Sequence, residues 1–329
     1  MRGTTSLTAC ALLGLALLGP TATASGAEDA DPPTCLGLTA TIVGTPREEL
    51  AGTPGDDVIV TNSAQPVVAG DGDDVVCVTT AENDTYPSGV DLDAGPGDDV
   101  VVATATGSNT QTDLGPGRDV FHGGDKEDWI EASLDDTVVA DRGGDLVTYT
   151  IARGAPVPDI VGTLTARRTD GWIKVVAPGR RLVMDGREGV VRLDGRVVTT
   201  IGVPPRMLYG VAQRVTLLGT PGVDRLAGAA CGQSVLRGLG GDDELVTFLD
   251  RATPRPECPH RRVSAFGGAG DDEIIGTAYD DVLRGGPGRD DIRGQGGDDV
   301  LLGGPGRDRA DGGKGRDRCD AERERRCER

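Results

Sequence analysis

The chain has 329 residues, of which 52 are glycine and 20 proline, while aromatic residues make up only 3%. Asp and Glu number 53 against 34 Lys and Arg, a net charge of -19. This excludes a nucleic-acid binder, which needs a basic footprint. Collagen is excluded because glycine follows no strict three-residue period. Simple disorder is disfavoured because hydrophobic residues still reach 37% and fall at regular places. A repeat architecture remains.

Residues 1–24 read as a secretory signal. Arg2 is followed by an apolar run from Leu7 to Gly19 and by Ala22-Thr23-Ala24, an A-x-A-like cleavage site. The run is too short to span a bilayer, which takes about 20 apolar residues, and no other stretch is long enough. The expectation is a secreted, extracellular protein with no membrane span. Removal of Cys10 with the signal leaves Cys35, Cys77, Cys231, Cys258, Cys319 and Cys327. An even count in an exported chain points to disulfides. Six cysteines allow 15 connectivities, of which nearest-neighbour pairing gives 35–77, 231–258 and 319–327. The absence of CxxC and the presence of only two His, His122 and His260, argue against zinc.

After a lead-in over 25–51, residues 52–148 hold short Gly/Asp units: GTPGDDVIV (52–60), AGDGDDVVC (69–77), AGPGDDVVV (94–102), LGPGRDVFH (114–122), GGDKEDWIE (123–131) and a weaker ADRGGDLVT (140–148). Their sixth residues are Asp57, Asp74, Asp99, Asp119, Asp128 and Asp145, at unequal intervals along the chain. An irregular stacked coil is expected here. The block carries 21 acids and 3 bases, so its carboxylates repel unless cations relieve them. Residues 149–218 hold 11 bases, 5 acids and no repeat. Strands are predicted at 161–166, 172–176, 181–184, 190–193 and 197–201, punctuated by Asp-Gly pairs that favour hairpins. The segment is either an antiparallel insertion or a continuation of the coil. Its positive charge would meet a cell-surface or matrix polyanion or glycan, or the acidic block of its own chain.

Repeats resume over 219–320. Units at 219–226 and 238–245 place Asp224 and Asp243 at the sixth position. From Gly267 to Asp320 six nine-residue units follow without a break: GGAGDDEII, GTAYDDVLR, GGPGRDDIR, GQGGDDVLL, GGPGRDRAD and GGKGRDRCD. Asp272, Asp281, Asp290, Asp299, Asp308 and Asp317 hold the sixth position, and Ile274, Leu283, Ile292, Leu301, Ala310 and Cys319 the eighth. Glycines permit positive φ and close backbone approach. Asp carboxylates and carbonyls are hard oxygen ligands suited to Ca2+. The last three residues make a minimal strand with one inward side chain. The charged residues 321–329 read as a cap, which repeat arrays need.

The pattern G-G-x-G-x-D-x-U-x resembles the calcium-binding nonapeptide of the RTX, or haemolysin-type, repeat proteins. The resemblance implies an all-β fold, a parallel β-roll or right-handed β-helix with two units per coil and the non-repeat segment in its middle. It implies Ca2+ between turns stacked two units apart, from the pairs 272/290, 290/308, 281/299 and 299/317. Gly268, Gly270, Gly286, Gly288, Gly304 and Gly306 would present carbonyls. Tyr279, where the fourth glycine belongs, departs from the pattern. The N-terminal signal also departs from the RTX toxins, so a cytolytic role is not carried over. Neither HExxH nor GxSxG occurs, Gly232-Gln-Ser234 being the nearest approach to the latter. The reading is a secreted calcium-binding protein and not an enzyme. The alternatives are a calcium-stabilised adhesin or matrix protein and, behind it, a carbohydrate-active β-helix enzyme.

Overall fold

The computed structural model of the protein describes residues 32–81, 89–104, 109–140, 143–151, 155–156, 162–166, 171–202, 207–247 and 262–328. The predicted signal, Cys258 and His260 lie outside the described residues.

The local rule is simple. In each unit the turn closes at the sixth-position Asp and is followed by a very short strand. In Glu273–Ile275, Val282–Arg284, Asp291–Arg293 and Val300–Leu302 only the middle residue is fully buried. Ile274, Leu283, Ile292, Leu301 and Ala310 are all inaccessible to solvent. Period-2 alternation sends that one apolar side chain inward and its neighbours out. So short a strand buries too little to persist alone. Each inward Ile or Leu contributes about 1.5–3 kcal/mol only when strands stack above and below it. The stack narrows at its end, where Ala310 and the half-buried Cys319 replace Ile and Leu.

Among the described residues every element is a strand, and the chain from Pro33 forms one unit. The strands lie on two faces of one coil. Two units make one coil, so Glu273 stands in parallel register with Asp291, and Val282 with Val300, one coil on. In the acidic block the step varies. Val58 pairs with Val75, Val75 with Val100, Val100 with Val120 and Val120 with Thr137. Phe121 in this block and Tyr149 just beyond it, the largest fully buried side chains among the described residues, fill the core.

The middle segment both continues the coil and interrupts it. On one face parallel pairing is unbroken: Trp129–Ala132, Leu146–Thr150, the start of Trp172–Asp185, then Met207–Leu218 and Arg225–Gly240. On the other face, two strands are inserted. Val190–Leu193 pairs antiparallel with the second half of Trp172–Asp185 and with Arg196–Ile201, which rejoins the stack in parallel with Gly162–Ala166. The strands predicted at 172–176 and 181–184 are one continuous strand across both faces. One face is therefore two strands taller than the other, about 10 Å at the ~4.8 Å strand spacing. The basic residues Arg180 and Arg192 pair with Asp194 and Glu188, inside the segment itself, and not with the acidic block.

Candidate metal centre: the aspartate ladders

The sixth-position aspartates form columns. Each carboxylate Oδ1 accepts the backbone N–H of the Asp one coil earlier. Asp57 donates to Asp74, Asp74 to Asp99 and Asp99 to Asp119, each at 2.8 Å. Asp119 donates to Asp136 at 3.1 Å. In the C-terminal run Asp224 donates to Asp243, Asp243 to Asp272, Asp272 to Asp290 and Asp290 to Asp308. On the opposite edge Asp281 donates to Asp299 and Asp299 to Asp317. The pairs 272/290, 290/308, 281/299 and 299/317 are thus adjacent, and the two expected edges exist. Asp128 and Asp145 form a short column of their own, Asp128 donating to Asp145 at 2.8 Å. This accounts for the short interval between Asp119 and Asp128: the chain changes edge there.

The second carboxylate oxygen divides these residues into two groups. In Asp74, Asp99, Asp119, Asp243, Asp272, Asp290, Asp299, Asp308 and Asp317, Oδ2 is buried and has no hydrogen-bond partner. In Asp57, Asp224 and Asp281, Oδ2 accepts both the N–H and the hydroxyl of the Thr four residues earlier, Thr53, Thr220 and Thr277. At Asp128 the N–H of Gly124 approaches Oδ2 at 3.5 Å, while Thr110 bonds Oδ1.

The backbone at the second position of each unit decides which group an Asp joins. Where Oδ2 is unpartnered, that residue has positive φ: Gly70, Gly95, Gly115, Leu239, Gly268, Gly286, Gln295, Gly304 or Gly313. The peptide then turns its N–H away from the carboxylate; Gly268 and Gly286, for example, donate to carbonyls one coil on. The three threonines stand outside the positive-φ set, and their N–H points at the Asp.

First- and fourth-position glycines shape the cradle. A Cβ on Gly267, Gly285 or Gly303 would lie 2.1, 2.0 or 2.4 Å from Oδ2 of the Asp five residues on. A Cβ on Gly288, at φ +153, would lie 1.8 Å from the carbonyl oxygen of Gly270. In the C-terminal repeats, from Asp243 to Asp317, each unpartnered oxygen thus faces a space that a side chain would fill, beside tightly stacked carbonyls, whereas Ala69, Ala94 and Leu114 hold the first position before Asp74, Asp99 and Asp119. Among the described residues no three His, Cys, Asp or Glu side chains converge. A cation held here would draw on carboxylates of successive coils and on main-chain carbonyls, an all-oxygen donor set fit for Ca2+.

Electrostatics agree with an incomplete donor set. Burial pushes Asp99 up to about 7 and Asp119 to about 8, against the lowering effect of the N–H each accepts and with help from neighbouring carboxylates. Asp243, Asp290 and Asp299 rise to about 7 and Asp272 to about 6 for the same reasons. At Asp57 burial also pushes upward, but the bonds from Thr53 and Thr41 bring the carboxyl below its ordinary value.

Three participants were not singled out in the sequence. Asp136 closes the first column; the glycine-poor Ser133-Leu134-Asp135-Asp136 hid it, although its distance from Asp119 repeats the interval from Asp57 to Asp74. Ser133 supplies N–H and hydroxyl bonds to it. Glu322 closes the other long column by accepting the N–H of Asp308 at 2.7 Å. The second-position threonines were legible, as GTPGDD, GTPGVD and GTAYDD, once their role is known. Tyr279 does not break its column: Asp281 still accepts the N–H of Val263 and donates to Asp299. The ends are pinned as well. Cys35 pairs with Cys77 and Cys319 with Cys327, Cys231 is also disulfide-bonded, and Arg326 forms a forked ion pair with Asp311.

These features define a stacked-turn β-roll whose turns are lined by buried carboxylates. The model of the RTX calcium-binding nonapeptide repeat (4 copies) matches residues 113–147, 266–301 and 293–323, and the chain carries these calcium-binding repeats. The search of curated proteins finds no match for the chain.

Proposed function

We propose that this is an exported, non-catalytic calcium-binding protein whose β-roll is rigidified by Ca2+ at the nine aspartates with an unpartnered oxygen. The observation that carries this reading is the set of nine buried Oδ2 atoms, six of them, at Asp243, Asp272, Asp290, Asp299, Asp308 and Asp317, beside a space left by a glycine five residues earlier. A buried polar atom without a partner costs about 1–3 kcal/mol, more when charged, so nine of them leave the ligand-free roll under load. Bound Ca2+ supplies two positive charges and accepts six to eight oxygen ligands.

The protein does the rest. The columns hold carboxylates of successive coils in line through their Oδ1 bonds. The positive-φ residues withdraw the N–H groups that would otherwise quench Oδ2. Asp57, Asp224 and Asp281, satisfied by threonine, start their columns as ligand-free ends; Asp136 with Ser133 finishes the first and Glu322 the second, while the third ends at Asp317. Asp128 and Asp145 serve the short column as structural turns. Extracellular modules bind Ca2+ at around 10^-4 to 10^-3 M, so the roll would tighten only after export, and disulfides belong to the same oxidising compartment.

The test is titration of residues 25–329 from chelator into millimolar Ca2+, with Mg2+ as control, followed by far-UV circular dichroism and calorimetry. A Ca2+-specific gain in β-signal or thermal stability is expected. An unchanged spectrum and melting curve would overturn the reading.

A further inference from the structure

Cavities of about 560, 230 and 530 Å3 lie in sequence along one face of the coil, the face that lacks the two inserted strands. The first two share Leu146 and Lys174, and the last two share Trp172, so they form one continuous groove. It crosses ten strands, from Val67–Val68 to Glu273–Ile275, about 40 Å at the strand spacing.

Its floor is unusual for this chain. Aromatic residues are only 3% of the sequence, yet both tryptophans stand here. Trp129 and Trp172 are 52% and 45% exposed. They belong to one in-register row, Trp129–Leu146–Trp172, so the two rings sit two strands apart, about 10 Å. Tyr209 follows in the adjacent row, with Lys174 5.6 Å from its ring centre. Along the first cavity Asp91, Asp93, Asp113 and Glu131 point outward, and none of them forms an ion pair with a described residue.

Each property selects an occupant. A long open groove suits a linear polymer. Exposed aromatic faces at a disaccharide interval stack on the C–H faces of pyranose rings, since an aromatic side chain offers a large apolar surface with a polar edge. Carboxylates outside any ion pair, with Lys174 two strands from Glu131 as the cation lining this cavity, accept hydrogen bonds from hydroxyl and ammonium groups, most strongly from charged donors. The acidic row repels uronate or sulfate polymers and attracts cationic ones. We propose that this groove binds a linear β-linked polysaccharide bearing free amino groups, a partly deacetylated hexosamine polymer, with Trp129 and Trp172 as stacking platforms and Asp91, Asp113 and Glu131 as partners of the amines. The assignment does not rest on the calcium reading: the third cavity reaches Asp224 and Asp243 of a column, but Trp129, Trp172, Asp91, Asp113 and Glu131 lie on strand faces outside the columns.

The test uses the full mature chain at saturating Ca2+, with glucosamine hexamer as probe and cellohexaose and polygalacturonate as comparisons. Tryptophan fluorescence and calorimetry report binding. The hexamer is expected to bind, cellohexaose at least tenfold more weakly, and polygalacturonate not at all. Trp129→Ala and Trp172→Ala should each weaken hexamer binding about tenfold while the calcium titration stays unchanged, which shows that the roll is intact. Asp113→Asn should weaken the hexamer and leave cellohexaose as it was. No binding of the hexamer, binding indifferent to both tryptophan variants, or cellohexaose binding as tightly as the hexamer would each overturn the proposal.

Discussion

The acidic block over 52–148 and the six-unit run over 267–320 differ in regularity but share a mechanism of order. In the run both edges carry aspartates, so both edges fix the coil at two units. In the acidic block one edge carries the long column from Asp57 to Asp136. The opposite edge of its first coils is joined by neutral hydroxyl bonds, such as Thr79 N–H to Thr61 and Ala81 N–H to Ser63. Connections on that edge vary in length, and the coil step varies with them. One column of carboxylates is therefore enough to hold strands in register, and the nine-residue period is a consequence of having two. The lesson is that the ladder, not the period, is the structural unit.

Equivalent substitutions in the two regions would break or sharpen this view. The largest effect is expected from Gly288→Ala and Gly97→Ala. Both glycines have strongly positive φ, and a Cβ would strike a carbonyl at 1.8 and 1.9 Å. Each change should cost at least about 3 kcal/mol from strain plus overpacking, read by chemical denaturation in Ca2+. If Gly97→Ala costs much less, the irregular block is not held by the same ladder.

Next come the pH and ligand responses. The raised folded-state values, from about 6 at Asp272 to about 8 at Asp119, exceed the unfolded value near 4. Their contribution to ligand-free stability is full below about pH 4 and is lost as the pH climbs to 8. In chelator the melting temperature should therefore fall across that window, while in saturating Ca2+ it should rise, because binding needs ionised carboxylates. Parallel curves in the two conditions would contradict the assignment of these aspartates. Asp290→Asn and Asp99→Asn separate the regions: each keeps an Oδ1 acceptor and removes a buried charge. Each should raise the melting temperature in chelator and shrink the gain on adding Ca2+.

The smallest effects concern the column ends. Thr277→Val and Thr53→Val remove a hydroxyl bond of 2.9 and 2.8 Å to the Asp and should each cost about 1 kcal/mol, with little change in the number of Ca2+ ions bound. Loss of bound calcium on Thr277→Val would show that Asp281 is a ligand and not an end.

Much of the candidate site was legible because its signal is local. A sixth-position Asp, flanking glycines and one inward apolar residue lie within a single unit, and that window also sets the turn and strand. The threonine ends were written in the same window, though their meaning was not, since it depends on whether an N–H points at a carboxylate. Asp136 and Glu322 escaped because they fill a ladder position without a glycine turn; only the Asp119 and Asp308 amides above them reveal the role.

The sequence by itself determined the all-β coil, the inward residues from Ile274 to Ala310 and the oxygen-rich turns, because each follows from period-2 alternation and glycine dihedrals within one short unit. Tertiary structure alone decided which Asp oxygens stay unpartnered, on which edge each column runs, and that Val190–Leu193 and Arg196–Ile201 enter one face and not the other. Those outcomes depend on hydrogen bonds between groups a whole coil apart in the chain, such as Asp57 with Asp74 and Asp243 with Asp272, and on strands meeting across the coil. The same long-range stacking brings Trp129 and Trp172, separated in the chain by two coils, into one row of a single groove.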